Sequence, residues 1–253
     1  MKRWWTVLLF VLLVTAAAWL VAVARQGDLT PLKRVTVEGE LRYLSRERLQ
    51  EEVVAHMEGG FFAIDLDRVR RAVEDLPWVA QVTVRRHWPD RLEVRVKERR
   101  AVARWADGGL VGAGGVLFHP PAQGGMNGLP VLRGRVEDAP GLLAFMRRLN
   151  GWLLPAGRVV AGLTAERRGA FSVRLDNGIE LVLGRLPEAV VRERLMRALP
   201  PLLGEARRRA AAIVRVDMRY PNGFAVTWKD GEPATTAITP KTGGTPNGDM
   251  NNP

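Results

Sequence analysis

This chain of 253 residues predicts an α+β protein: a single N-terminal transmembrane helix, a β-α-α-β-β domain, and then a mostly antiparallel β domain with flanking helices. Three observations carry that prediction. Trp4 to Ala24 is an apolar run in which Thr6 and Thr15 are the only polar side chains. From Arg34 to about residue 100, apolar residues recur at period two, then at two helical spacings, then twice more at period two. After Trp105 the texture turns glycine-rich, with short alternating runs cut by turn residues and interleaved with two helical stripes.

At about 1.5 Å per residue, Trp4 to Ala24 reaches roughly 30 Å, the thickness of a bilayer's hydrocarbon core. Lys2 and Arg3 precede it, Trp4 and Trp5 stand at one rim and Trp19 near the other, the arrangement of an aromatic belt with positive charge held inside. Residues 1–3 are then a cytoplasmic tail, 4–24 the anchor, and the rest of the chain lies on the other side. The rival is a cleaved signal peptide, because Ala22, Val23 and Ala24 form an A-x-A site. An h-region is shorter, however, at about 7 to 15 residues.

Residues 25–33, with Gly27 and Pro31, read as a spacer, and 34–101 as the first domain. Val35 and Val37 alternate with polar neighbours in a brief strand ending at Gly39. Ser45 suits the N-cap of a helix with Leu49, Val53, Val54 and Met57 on its apolar face, closed by Gly59 and Gly60. Asp65 caps a second helix bearing Leu66, Val69, Val73 and Leu76, and Pro77 stops it. Val82 and Val84 belong to one strand, Leu92, Val94 and Val96 to the next, and Trp88, Pro89 and Asp90 turn the chain between them.

The second domain spans 102–229. A helical stripe of Leu142, Phe145, Met146, Leu149 and Leu153 is predicted to be interrupted at Gly151 and ended by Pro155. Strands follow at 158–166, 170–175 and 179–184, the last two joined by Asp176, Asn177 and Gly178, a hairpin signal. Pro187 opens a helix with Val191, Leu195, Ala198 and Leu199 inward, and Pro200 with Pro201 is expected to kink or end it. Ile213, Val214 and Val216 lead to a strand reaching Tyr220. Pro221, Asn222 and Gly223 then turn it into Phe224 to Lys229, which has no later predicted strand to pair with and so leaves an open edge. Residues 230–253 are polar and rich in Pro, Gly, Thr and Asn, the composition of a disordered tail.

Composition narrows the chemistry. There is no cysteine, so disulfides and thiolate chemistry are excluded, and the formal charge is +11. Such a charge attracts nucleic acid, anionic lipid or acidic protein; outside the cytoplasm nucleic acid is the poor candidate. Ser45 and Ser172 are the only serines, one a helix cap and one a strand position. His56, His87 and His119 are scattered, and Asp65 with Asp67 suits a helix start. Leu117 stands where a dinucleotide-binding loop needs its third glycine, so Gly108 to Gly115 read as turns. The sequence therefore predicts no catalytic residue, cofactor, metal or small-molecule substrate. The arginine runs at Arg99–Arg100 and Arg207–Arg209 are either solvated faces or docking points for an acidic segment, a task to which the guanidinium fork is suited.

V-T-V-E-G at 35–39, G-G-F-F-A-I-D-L at 59–66, L-P-W-V at 76–79, V-R-R-H-W-P at 84–89 and V-K-E-R at 96–99 resemble the POTRA module of the FtsQ/DivIB family of bacterial cell-division proteins. V-D-M-R-Y at 216–220 and G-F-A-V-T-W at 223–228 resemble that family's β domain. Two positions depart from the family pattern, Ala101 in place of a proline and Gly112 in place of an aspartate. The resemblance implies a non-enzymatic scaffold of the divisome, a single-pass type II inner-membrane protein with its bulk in the periplasm, concentrated at the septum. It also implies capture of FtsB and FtsL by strand addition, with Arg219, Tyr220, Phe224, Val226 and Trp228 at or beside the added strand. Arg194 or Arg197 would meet a second acidic residue. Contacts to FtsK, FtsW and FtsI are expected of the POTRA module. Two rivals stand against this: a POTRA-containing factor for envelope assembly or export, and a cell-wall enzyme.

Overall fold

The structure, a computed structural model, describes residues 2–25, 34–57, 61, 64–121, 125–209, 213–220, 223–229 and 233–234. It divides into two compact units, one of residues 1–100 with 118–120, the other of 101–117 with 121–253.

In the first unit, helix α1 (Lys2–Arg25) precedes strand β1 (Arg34–Glu38), helices α2 (Arg46–Ala55) and α3 (Leu66–Glu74), and strands β2 (Val79–His87) and β3 (Arg91–Glu98). The predicted β-α-α-β-β order is present. The three strands lie in the order β1-β3-β2, with β1 parallel to β3 and β2 antiparallel to it. Leu49 and Val53 of α2 and Val69 and Val73 of α3 are buried against Val82, Leu92, Val94 and Val96 of the sheet. Val54, predicted for the same apolar face, is 53% exposed. Both caps form: Ser45 Oγ accepts from Arg48 N at 3.1 Å, and Asp65 Oδ1 from Asp67 N at 2.9 Å and Arg68 N at 3.1 Å. Those amide donors hold the Asp65 carboxyl below its ordinary pKa, the Arg68 amide foremost. Gly59 and Gly60 lie outside the described residues, and α2 ends at Ala55 with His56 as its cap.

A single carboxylate closes the approach to α2. Glu98 accepts from the backbone N–H groups of Arg42 at 2.8 Å, Tyr43 at 2.9 Å and Leu44 at 2.7 Å. Leu44 N is the half-buried one of these donors, and a donor kept from water without an acceptor costs roughly 1–3 kcal/mol. Glu98→Ala is therefore expected to lower stability by about 2 kcal/mol, measured as a reduced midpoint of chemical denaturation. Glu98→Gln, which keeps one acceptor oxygen, falls between.

The described apolar side chains of α1 are open to their surroundings on every side, from Val14 at 48% to Trp4 at 81% exposure. Among the described residues no helix is long and apolar enough to cross a membrane.

The second unit is built on a ten-stranded mixed sheet. Its strands are β4 (Ala101–Trp105), β5 (Leu110–Gly112), β6 (Leu117–Phe118), β7 (Val131–Arg133), β8 (Val160–Ala165), β9 (Phe171–Leu175), β10 (Glu180–Gly184), β11 (Ile213–Asp217), β12 (Ala225–Trp228) and β13 (Pro233–Ala234). They lie in the order β13-β12-β11-β10-β9-β8-β7-β4-β5-β6. The α+β class holds, but three pairings are parallel: β4 with β7, β7 with β8, and β10 with β11. Parallel neighbours need a crossover. Helix α4 (Ala139–Leu153) provides it between β7 and β8, and α5 (Glu188–Arg209) between β10 and β11. Leu142, Met146, Leu149 and Leu153 of α4 and Val191, Leu195 and Ala198 of α5 share one core with Leu163, Val173, Leu181 and Val216 of the sheet.

Two helix-breaking signals in the sequence are overridden. Gly151 does not interrupt α4, which runs to Leu153 before a 3₁₀ turn at Leu154–Ala156. Pro200 and Pro201 do not end α5, which continues to Arg209. A proline costs a helix one hydrogen bond and some steric strain; Val191, Leu195 and Ala198 pack the stretch before the prolines on the sheet, and the helix runs on past them. The glycines from Gly108 to Gly115 do form turns, with Trp105 N donating to Gly109 O and Gly115 N to Gly112 O.

Candidate partner-binding edge

The far end of the second sheet is built from β11, β12 and β13. β11 and β12 are antiparallel, with Val216 opposite Val226 and Asp217 opposite Ala225. Side chains alternate across such a strand, and here the alternation sends Val226 and Trp228 into the core at 3% and 6% exposure. Ala225 and Thr227 take the other face. The Val226 and Trp228 side chains anchor β12 to the body of the unit, and what β12 can offer a partner is its backbone.

The predicted open edge is corrected. β13 pairs antiparallel with β12, Ala234 opposite Val226 and Pro233 opposite Thr227. Two residues of the stretch read as tail thus cover part of the ladder, since an unpaired row of N–H and C=O groups accepts any extended segment that can reach it. Proline is tolerated at such an outer position because no strand beyond it needs its missing N–H.

Arg219 follows β11 directly. Its Nε lies 3.0 Å from both carboxylate oxygens of Asp217 and its Nη2 2.6 Å from Asp217 Oδ2, while Asp217 Oδ1 also accepts from the Arg219 backbone N–H at 3.0 Å. The Arg219 guanidinium holds the Asp217 carboxyl below its ordinary pKa against the opposing effect of partial burial, and Asp217 raises that of Arg219 in return. A carboxyl with a lowered folded pKa contributes stability that is complete above the unfolded value of about 3.9 and is lost as pH falls through the folded value. The stem of Arg219 lies over Gly184, where a Cβ would sit 2.9 Å from Arg219 Cγ and where φ is +67°. Any larger residue at 184 would displace the arginine.

The remaining predicted residues divide. Tyr220 is 55% exposed beside Arg219. Phe224 is half-buried and packs on the main core just before β12. Arg194, expected to meet an acidic partner residue, is half-buried and donates through Nη1 to the carbonyls of Met218 and of Tyr220. It fixes the segment that carries Arg219 and is a positioning residue. Arg197 is exposed and paired with Glu193 one turn earlier on α5. Arg99 also has structural work: its Nη2 donates to Val79 O at 2.8 Å and its guanidinium lies 5.2 Å over the Phe118 ring. Side chains 207–209 lie outside the described residues.

Asp217, Gly184 and the true role of Arg194 were not foreseen from the sequence. Asp217 had a signal, because residues two apart on a strand share a face, so the V-D-M-R-Y run places carboxylate and guanidinium together. Gly184 and Arg194 had none, since their partners are about 24 to 35 residues away in sequence. Elsewhere, His87 Nε2 lies 2.7 Å from Glu93, and His56 Nδ1 2.9 Å from the Glu52 carbonyl. Among the described residues no three of His, Asp or Glu gather as a metal site would require. The edge has the chemistry of a peptide acceptor: ladder groups held by two residues, beside a pre-oriented guanidinium fork.

Comparison with known proteins adds the family. Residues 30–99 match the family model described as POTRA domain, FtsQ-type, and residues 103–219 match that described as Cell division protein FtsQ/DivIB, C-terminal. The chain is 36% identical over 220 residues to the Cell division protein FtsQ of Allochromatium vinosum, covering 87% of this chain and 86% of that protein. It is 37% identical over 202 residues to the protein of the same description from Thioalkalivibrio, covering 79% and 82%. With that from Methylomonas methanica it shares 31% over 229 residues, covering 89% and 91%.

Proposed function

Since the chain belongs to the FtsQ/DivIB family of cell-division proteins, we propose that it is a non-enzymatic, membrane-anchored scaffold that captures FtsB and FtsL outside the cytoplasm by strand addition at β12. The observation that carries this reading is the sheet edge itself. β12 is held from one side by β11 and a core-buried Trp228, and from the other, among the described residues, by the two of β13. Next to it stands Arg219, whose fork a carboxylate of the incoming segment can share with Asp217. Main-chain bonds give such a complex affinity, and the arginine with Tyr220 gives it selectivity. Phe224 packs at the start of the accepting strand, and exposed Arg197 remains available for a further acidic contact.

The anchor is proposed to be α1. Its 24 residues include an apolar run with side chains exposed all round the helix, a surface that water disfavours and lipid accepts. Positive residues before it and the POTRA-type unit after it favour a single-pass inner-membrane topology with both units in the periplasm, drawn to the septum by its partners. FtsK, FtsW and FtsI are proposed as further contacts of the first unit.

Strand addition requires that β13 leave or be extended. A chain ending after Asp230 is therefore expected to capture FtsB at least as well as the full chain, measured by pull-down of the detergent-solubilised proteins with tagged FtsB. Lost capture on this truncation would place recognition in the tail and remove β12 as the acceptor. Failure of both forms to capture FtsB or FtsL would overturn the proposed function.

A further inference from the structure

The turn between β2 and β3 carries Trp88, which at 80% exposure is the most exposed large apolar side chain described outside α1. Exposed arginines surround it, Arg85 before the turn and Arg91 after it. The register brings in a third: Arg34 pairs with Arg91 across β1 and β3, and Arg34 N donates to the Asp90 carbonyl at 3.3 Å. His87 likewise stands opposite Arg91. The start of β1, the end of β2 and the start of β3 thus share one end of the sheet. Glu93 is engaged by His87 and Arg95, and Arg86 donates to the carbonyls of Phe61 and Ile64. Among the described residues Asp90 is the only other carboxylate at this end, so their balance is basic.

That end is also where the chain arrives from α1. Arg25 closes α1 and Arg34 opens β1, so the nine intervening peptide steps can reach at most about 32 Å. If α1 crosses the membrane, as proposed above, the Trp88 end of the sheet is tethered beside the bilayer surface. An indole with an apolar body and one polar N–H prefers the headgroup level, and arginines beside it gain from anionic lipid. A protein-binding hot spot would instead seat its tryptophan among other apolar residues; here the register brings Arg34, His87 and Arg91 to the strand ends beside it.

We infer that the Trp88 turn docks on the outer surface of the membrane, with Trp88 at the headgroup level and Arg34, Arg85 and Arg91 on the phosphates of anionic phospholipid. This second attachment fixes the first unit against the bilayer, which the tether alone leaves free to rotate.

The absence of native cysteine makes the test direct. Trp88→Cys and, at the other end of β2, Gln81→Cys are each introduced into the full chain, labelled with the same environment-sensitive fluorophore and reconstituted into phosphatidylcholine vesicles with or without phosphatidylglycerol. The inference expects the probe at 88 to be blue-shifted and quenched several-fold more than that at 81 by lipids spin-labelled near the headgroup, and more strongly with phosphatidylglycerol present. Adding Arg34→Glu and Arg91→Glu to Trp88→Cys should abolish the difference. Equal quenching at 88 and 81, or quenching indifferent to lipid charge and to the reversals, overturns it. A blue shift at 88 without lipid quenching also overturns it and assigns the turn to protein contact. Flotation separates the two layers of the argument: chain that does not float with vesicles refutes the anchor, whereas chain that floats with a wet probe at 88 refutes the docking alone.

Discussion

Arg219→Glu is expected to reduce capture of FtsB by about ten- to a hundredfold, the range for disrupting a charge pair at the centre of an interface. The substitution puts a carboxylate where an acidic partner side chain would bind and sets it against Asp217. Because the reversal also breaks the Asp217 pair, thermal unfolding should fall modestly, so capture is compared at a temperature where both chains are folded. Arg219→Lys is the finer test. A lysine keeps the charge but loses the two-pronged geometry that now spans both oxygens of Asp217, so capture should fall between the parent and the reversal. Titration of FtsB onto the immobilised full chain measures all three. Equal affinities would leave β12 without its neighbouring recognition element and weaken the assignment of the edge.

Gly39→Ala should be the most damaging single substitution in the first unit, at about 3–5 kcal/mol. Gly39 has φ of +146°, a backbone state that residues with a Cβ rarely adopt, and an added Cβ would sit 2.2 Å from the Val96 carbonyl oxygen. That oxygen belongs to the central strand β3, so relief requires β1 and β3 to move apart where they pair. Gly178→Ala provides the contrast: φ is +87° but no atom lies within 4 Å of the new Cβ. Its cost is the backbone preference alone, about 1–2 kcal/mol. Denaturant melts of the two variants measure the difference, and similar losses would mean that the Val96 contact relaxes freely.

Much of the local structure was legible in the residues. Ser45 and Asp65 name their own helix starts because a short oxygen-bearing side chain satisfies amides two or three residues on. Trp88, Pro89 and Asp90 mark a hairpin, and Asp176, Asn177 and Gly178 another, and both formed. Period-two runs chose the inward face of β3 correctly: Leu92, Val94 and Val96 are all buried. Family motifs then joined these pieces into two recognised modules.

The candidate edge was legible only in outline. Its position at the end of the chain's last strong strand could be read, as could Arg219 and Tyr220. Its coverage by β13 could not, because Pro233 and Ala234 have no strand pattern of their own and pair only where a finished edge receives them. Trp228 and Val226 looked like recognition residues because aromatic and β-branched types suit interfaces and cores equally; which way they point depends on the register with β11.

The sequence by itself determined where α2, α3 and α5 begin, where the hairpins β2–β3 and β9–β10 turn, which residues of those elements face inward, and to which family the chain belongs. The tertiary structure alone decided that α4 and α5 act as crossovers making two strand pairs parallel, that β4 pairs parallel with β7 as well, that both helices run past their helix breakers, and that Arg194 and Gly184 hold Arg219 in place. The reason is physical. Caps, turns and periodicity arise among residues within a few positions of one another, whereas strand order and the seating of an arginine over a distant glycine depend on contacts that exist only once the whole sheet has closed around its core.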